Sequence, residues 1–467
     1  KFKMFKKIEI WILYLAILCS ILFAIFFGVL VRQELVGTVK LGPISKFAVF
    51  LAEIPMNIKK ILHVAKDPGV DLGVGKRFKD KDGFVGSFKQ KNYFLLLSRY
   101  DGDISESVVE LINLEDQKVI QRWNPDIKYI NSLIDQKREE YLLLERDLNE
   151  NRFKIHSPLI TSDGGLLFHA NGSALIKIDA CNKLKWINDI DHFHHSNEVD
   201  FNENYWVPSR IFPYSLDEKK VGNKYGDFFD DAITKVSKEG KILYQKSVSQ
   251  ILLDNKLEHL VFSNYVFHGD PIHLNDIQPV EQNGKYWKKG DLFLSLRSQN
   301  MIILYRPSTN KIISSITGPF SNQHDVDIIS DKEISIFNNN IYFYKGERIN
   351  NARIHFLGVP DNGNIEILIY NFETKKFNKK FSKGINENNV RTSVAGLSEI
   401  LDDGSLFIEE TQSGRILFFD KKGELTLEYV NKAKNGTNYG LGFSRVLKMN
   451  NKLRNQIKLI KSKSCTN

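Results

Sequence analysis

A chain of 467 residues, 42% of them hydrophobic, can bury a large core as one big β domain or two ordinary ones. Its 32 Phe and 17 Tyr suit strands better than helices. The formal charge of +9 gathers at the two ends while the middle is nearly balanced, so the composition argues against a nucleic-acid surface and for membrane-adjacent tails.

Residues 1–7 form a basic tail carrying Lys1, Lys3, Lys6 and Lys7. Residues 8–31 then run almost without interruption through apolar side chains, about the ~20 needed to cross a hydrocarbon core as a helix. The run is longer than the ~7–15 residues of a signal peptide, and Phe26-Phe27-Gly28-Val29 offers no small-x-small cleavage site. The expectation is a single-pass signal anchor. Lysines before it and Arg32 after it place the N-terminus in the cytoplasm and the rest in the periplasm, with the bilayer as a partner.

Residues 32–83 read as an amphipathic helix followed by a linker. Apolar positions between Ile44 and Leu62 recur at helical spacing, with Pro55 as a break. Such a helix suits a membrane interface or a face of the following domain equally well.

Residues 84–448 repeat one pattern: an alternating strand, a polar turn and a second strand. Ala174-Leu-Ile-Lys-Ile-Asp-Ala-Cys-Asn-Lys-Leu-Lys-Trp186 and Arg415-Ile-Leu-Phe-Phe-Asp-Lys-Lys-Gly-Glu-Leu-Thr-Leu427 are two of its six copies. A sandwich explains strands and turns but not this recurrent hairpin. The expected fold is therefore all-β, a six-bladed β-propeller with an N-terminal transmembrane helix. Asp126 to Asn151 interrupts it as a short helical insertion, and 449–467 forms a basic C-terminal tail. Cys19, Cys181 and Cys465 show no close spacing, so no metal knuckle is expected, and a Cys181–Cys465 bridge stays open.

Four histidines stand at or near the starts of successive β-rich segments: His156, His195, His273 and His324. In the corresponding sixth segment Arg391-Thr392-Ser393 leads into Val394-Ala-Gly. If these segments are inner strands of a propeller, the marked positions face one central cavity. Arg297 falls at the end of the strand Asp291–Leu296, where a charge is expensive to bury without an anionic partner. Either a salt bridge to Asp276 or Asp325 supplies that partner, or a ligand does. Arg297 would repel a metal ion, and no nucleophile elbow or phosphate cradle is present, so no metal or cofactor is expected. Arg, Asn and neutral His instead suit an anion, with an imidazole as nucleophile for sulfuryl or phosphoryl transfer.

His-Leu-Asn-Asp at 273–276, Ser-Leu-Arg-Ser-Gln-Asn at 295–300 and Gly-Pro-Phe-Ser-Asn-Gln-His-Asp at 318–325, in that order, resemble the bacterial arylsulfotransferases. These are six-bladed propellers that use no nucleotide donor. The resemblance spans roughly Phe84 to Lys448 and implies transfer of a sulfuryl group from an aryl sulfate to a phenol through a sulfated histidine. It implies that His324 is the nucleophile and that His273, Asn275 and Arg297 hold the sulfuryl oxygens. It gives His195 or the adjacent His194 the proton-transfer or substrate-contacting role, and Arg391 is a further substrate-binding candidate. The rival reading is a non-catalytic propeller that binds an anionic ligand, a glycan or a membrane protein.

Overall fold

The computed structural model describes residues 9–36, 42–66, 73–75, 77–142, 144–262, 267–343, 357–358, 363–463 and 465; the basic tail at 1–7 lies outside them. The chain divides into two units, Lys1–Asp71 and Leu72–Asn467.

The first unit holds two helices, α1 (Ile10–Val36) and α2 (Pro43–Lys66). Apolar side chains surround α1 on every side and, Leu30 apart, stay largely exposed, and its length and hydropathy suffice to cross a membrane. Pro55 lies inside α2 and does not end it, contrary to the sequence expectation. A proline removes one backbone hydrogen bond, and the flanking turns supply enough others to carry the helix past it.

The second unit is an all-β, propeller-like set of antiparallel sheets. Each inner strand is short and lies at a sheet edge. We label these β1 (His156–Ile160), β2 (Glu198–Val199), β3 (Leu274–Pro279), β4 (Val326–Ile328), β5 (Leu397–Ile400) and β6 (Arg445–Lys448). Sheets headed by β3, β4, β5 and β6 stand separately with four or five strands each. The six separate blades expected from the sequence are thus four. The strand Leu184–Phe193 runs on far enough for His192 and Phe193 to pair with Arg210 and Ser209, which merges the β1 and β2 units into one eight-stranded sheet.

Apolar residues from facing sheets interlock between neighbours. Phe293, Ile302 and Leu304 pack on Ile334, Ile336 and Leu368, and Phe337, Ile367 and Ile369 pack on Leu406, Ile408 and Leu417. The two ends of the unit are joined by hydrogen bonds: β6 pairs with Tyr93–Leu96, and Gly83–Gly86 pairs with Leu427–Val430. Before β6, Gly442 passes so close to Ile155 that a Cβ would lie 1.8 Å from its carbonyl oxygen, so no larger residue fits.

The insertion at 126–151 is helical as expected, with short helices at Ile127–Ser132 and Leu144–Asp147 and a 3-10 turn at Glu139–Tyr141. The C-terminal segment contains a docked helix, α3 (Asn451–Ser462). It buries Leu453, Ile457 and Ile460 in the core that holds Leu166, Phe168 and Ile178, and a Cys181–Cys465 disulfide pins the segment that follows.

Candidate active site

Several of the sequence-marked side chains meet because β2, β3 and β4 start side by side. His195 and His273 both adopt a left-handed backbone, φ 59° and 51°, which turns each chain sharply into its inner strand. Their ring centroids lie 5.4 Å apart, and the His195 ring lies 6.1 Å from that of His324.

His324 is 4% exposed and both of its ring nitrogens are engaged. Asn339 donates its amide hydrogens to the carbonyls of Thr392 and Ala395, so its Oδ1 is the atom facing His324 Nδ1 at 2.6 Å. Nδ1 therefore carries the proton and Nε2 the lone pair. The Ala395 amide donates to Nε2 at 2.8 Å. Burial, then the nearby Arg297 and His273, push the His324 pKa down to about 3, so the ring is neutral at physiological pH.

Arg297 opens a 3-10 turn after the strand Leu292–Leu296. Gln323, fully buried, ties that turn by donating to the carbonyls of Leu296 and Met301. Neither Asp276 nor Asp325 pairs with Arg297. Its Nη1 lies 3.3 Å from His273 Nε2, and its Nε is buried without a partner among the described residues. Asp270 holds the other side of His273, 2.5 Å from Nδ1. The imidazole thus braces the guanidinium, which retains unused donors. Asn275 donates to the Gln323 carbonyl at 2.8 Å, and its Oδ1 has no partner among the described residues.

His194 and His195 face each other through their Nδ1 atoms at 2.7 Å, and His194 Nε2 stands 3.3 Å from the buried Asp231 carboxylate. That last approach is ion-pair distance and poorly aligned for a hydrogen bond. Burial alone would raise the Asp231 carboxyl, but His194 and Arg210 pull it down to about 2. Burial, then His194 and His273, hold the His195 ring well below its usual range. With Asp231 ionised, His194 keeps its proton on Nε2, His195 donates from Nδ1, and His195 Nε2 is left with a lone pair.

Not every marked residue joins this group. Arg391 is exposed, and its backbone accepts a hydrogen bond from Arg77 and donates one to Glu410. His156 stacks on His169 and meets the Phe443 ring at a tilt. Sequence reading missed Asn339, Asp270, Asp231 and the Ala395 amide. The Asn338-Asn339-Asn340 run at the end of a buried strand was the available signal for the first. The polar stretch Asp270-Pro-Ile-His273 is the signal for Asp270, and the other two carry none, since an ordinary turn or strand end uses the same residues.

Residues 157–432, more than half of the chain, match the family model described as Arylsulfotransferase (ASST). The chain belongs to the arylsulfotransferase family. Family membership makes this a sulfotransferase-type protein, with aryl sulfates and phenols as its substrate classes at a coarse level. Comparison with curated protein sequences returns no match. Among solved structures, a protein of unknown function from Bacteroides caccae is similar at 11% identity and a TM-score of 0.45, covering 77% of this chain and 100% of that one. Virginiamycin B lyase from Staphylococcus aureus is similar at 12% identity and a TM-score of 0.34, covering 74% and 86%. A functionally unknown protein from Desulfotomaculum acetoxidans gives 8% identity, a TM-score of 0.39, and coverage of 77% and 100%. Overlaps of this size carry no inference about activity.

Proposed function

We propose that the protein transfers a sulfuryl group from an aryl sulfate to a phenolic acceptor in two steps, through a sulfated His324. The observation that carries this reading is a guanidinium with no carboxylate in hydrogen-bond contact among the described residues, beside a buried, neutral imidazole. Arg297 supplies planar donors for sulfuryl oxygens, braced by His273, and the second N–H of Asn275 is a further donor. In the first step His324 Nε2 forms an N–S bond as the S–O bond to the aryl group breaks and an aryl oxide leaves. In the second, His195 Nε2 takes the proton of the acceptor phenol as its oxygen attacks sulfur and the N–S bond breaks. Asp231, through His194, stabilises the protonated His195, whose proton then passes to the departed aryl oxide or to water. Arg391 remains a proposed outer contact for the substrate.

One feature of the resting geometry favours the rival reading of a binding propeller. A nitrogen lone pair that accepts from the Ala395 amide cannot attack sulfur, so turnover requires that amide to move when the donor arrives.

The full architecture belongs to the same reading. The six inner strands each place a Leu, Glu, Asp or Arg before an aliphatic residue: Leu159-Ile160, Glu198-Val199, Asp276-Ile277, Asp327-Ile328, Glu399-Ile400 and Arg445-Val446. Six apolar cores follow one another between the units these strands head. Both support six blades, two of them fused through Leu184–Phe193. Placement in the periplasm, behind an anchoring α1, is supported by the lysines before α1 and by a disulfide that needs an oxidising compartment.

The test is turnover of p-nitrophenyl sulfate with a phenol acceptor, together with intact-protein mass spectrometry in the absence of acceptor. We expect phenol release and a sulfate adduct on His324, both lost in His324→Ala. A folded protein that binds sulfate esters but turns over none across a broad donor panel would establish the binding reading instead.

A further inference from the structure

The four acidic positions in the inner-strand pattern point into one cavity of about 390 Å³, whose lining also includes His195, His324 and Asn275. Glu198, Asp276, Asp327 and Glu399 hold equivalent places, each one residue before an aliphatic side chain on β2, β3, β4 and β5. Asp325 and Asp402 add to them. Arg445 supplies the one Lys or Arg among the lining residues, and it is committed to Glu198 at 2.7 Å. Asp276 accepts the Val326 N–H and has the Ser196 hydroxyl as a second donor, and Asp325 accepts the Ser398 N–H. Asp327 has no hydrogen bond or ion pair among the described residues.

Crowded carboxylates alone would be an unremarkable solvated ring. A second observation comes from Asn275, which is 4% exposed. Its amide nitrogen is turned to the Gln323 carbonyl, which leaves Oδ1 as a buried acceptor with no donor. Acceptors and negative charge without matching donors call for a cation. Burial, followed by Asp325 and Glu198 for Asp276 and by Glu399 for Asp327, also raises both carboxyl groups well above the usual range, and Arg445 offsets this only in part at Asp327.

Among the described residues no three His, Cys, Asp or Glu side chains converge closely enough to ligate a bare ion. The occupant must therefore keep most of its own water. Small divalent cations of the Mg²⁺ and Ca²⁺ class do so, holding to one or two carboxylates while water fills the other positions.

We propose that this cavity is a binding site for a hydrated divalent cation, held between Glu198, Asp276, Asp327 and Glu399. Its charge would also offset carboxylates whose field otherwise opposes binding of an anion beside His324.

Calorimetric titration of the metal-free full-length protein in detergent, with Mg²⁺ and Ca²⁺ as separate probes, tests this without any turnover. We expect saturable binding of at least one ion and a melting midpoint raised by about 2 °C or more at roughly 10 mM. Asp327→Asn and Glu399→Gln, close in shape to the native residues, should each weaken binding by about tenfold or more, while the exposed Glu387→Gln leaves it unchanged. Flat isotherms with both ions would overturn the proposal. So would wild-type affinity in both channel variants, or an equal thermal shift from NaCl at matched ionic strength, which would mean screening only. A protein that binds metal but transfers no sulfuryl group would leave this site standing while the catalytic reading fell.

Discussion

The burial of His324 has a kinetic signature that separates it from an ordinary histidine. A solvent-exposed imidazole titrates near 6.5, so its neutral fraction falls about 25-fold between pH 7 and pH 5. With its pKa pushed down to about 3 by burial, Arg297 and His273, His324 stays essentially fully neutral over that range. The measurement is single-turnover release of p-nitrophenol from p-nitrophenyl sulfate without acceptor, which isolates the first half-reaction. Its rate should stay level from pH 7 to pH 5. Arg297→Gln removes the second-largest cause of the shift and leaves burial in place, so His324 titrates at higher pH and the acid limb moves up towards neutrality. The variant should also lose transition-state stabilisation at every pH, by about 2–4 kcal/mol if Arg297 is the principal anion donor. A wild-type rate that drops more than tenfold between pH 7 and pH 5 would refute the reasoning, because His324 would then be titrating as though in water.

Three further outcomes follow from particular contacts. Asn339→Leu removes the acceptor that keeps the His324 proton on Nδ1; kcat should fall by about 10- to 100-fold with the fold retained, checked by activity beside circular dichroism. The Cys181–Cys465 bridge closes a loop with a sequence separation of 284 residues. By the chain-entropy model Cys181→Ser costs up to about 5.6 kcal/mol, read as a lower denaturant midpoint, and an unchanged midpoint would mean the docked α3 alone suffices. Burial pushes the Glu399 carboxyl up to about 7, against the lowering effect of Arg445. A raised folded-state pKa means stability that is present below the unfolded value near 4.5 and lost as pH rises through 7. In EDTA, Glu399→Gln should therefore gain stability relative to wild type between melts at pH 5 and pH 8; a constant difference would contradict the assigned environment.

What the sequence determined by itself were the features written in periodicity and local chemistry. An apolar run long enough to span a bilayer needs no tertiary context to be read, and neither do hairpins recurring with alternating strands. The motifs around His273, Arg297 and His324 were legible because a histidine or arginine at a strand boundary stands out against apolar neighbours. Strand merging was not legible. Whether Leu184–Phe193 stops or runs on to meet Arg210 depends on backbone pairing between segments, which no local pattern encodes.

Only the tertiary structure decided which neighbours each polar group has. It set the Asn339 contact that directs the His324 proton, the Asp270–His273–Arg297 brace, and the lack of any carboxylate hydrogen-bonded to Arg297 among the described residues. Glu198, Asp276, Asp327 and Glu399 look in sequence like ordinary solvated charges, one per segment. They become a single electrostatic object because inner strands from distant parts of the chain share one cavity, where burial makes their mutual repulsion count. A sequence gives each ionisable group its intrinsic chemistry. Its dielectric surroundings and its charged neighbours, which set its proton affinity and its ligands, exist only once the sheets have packed.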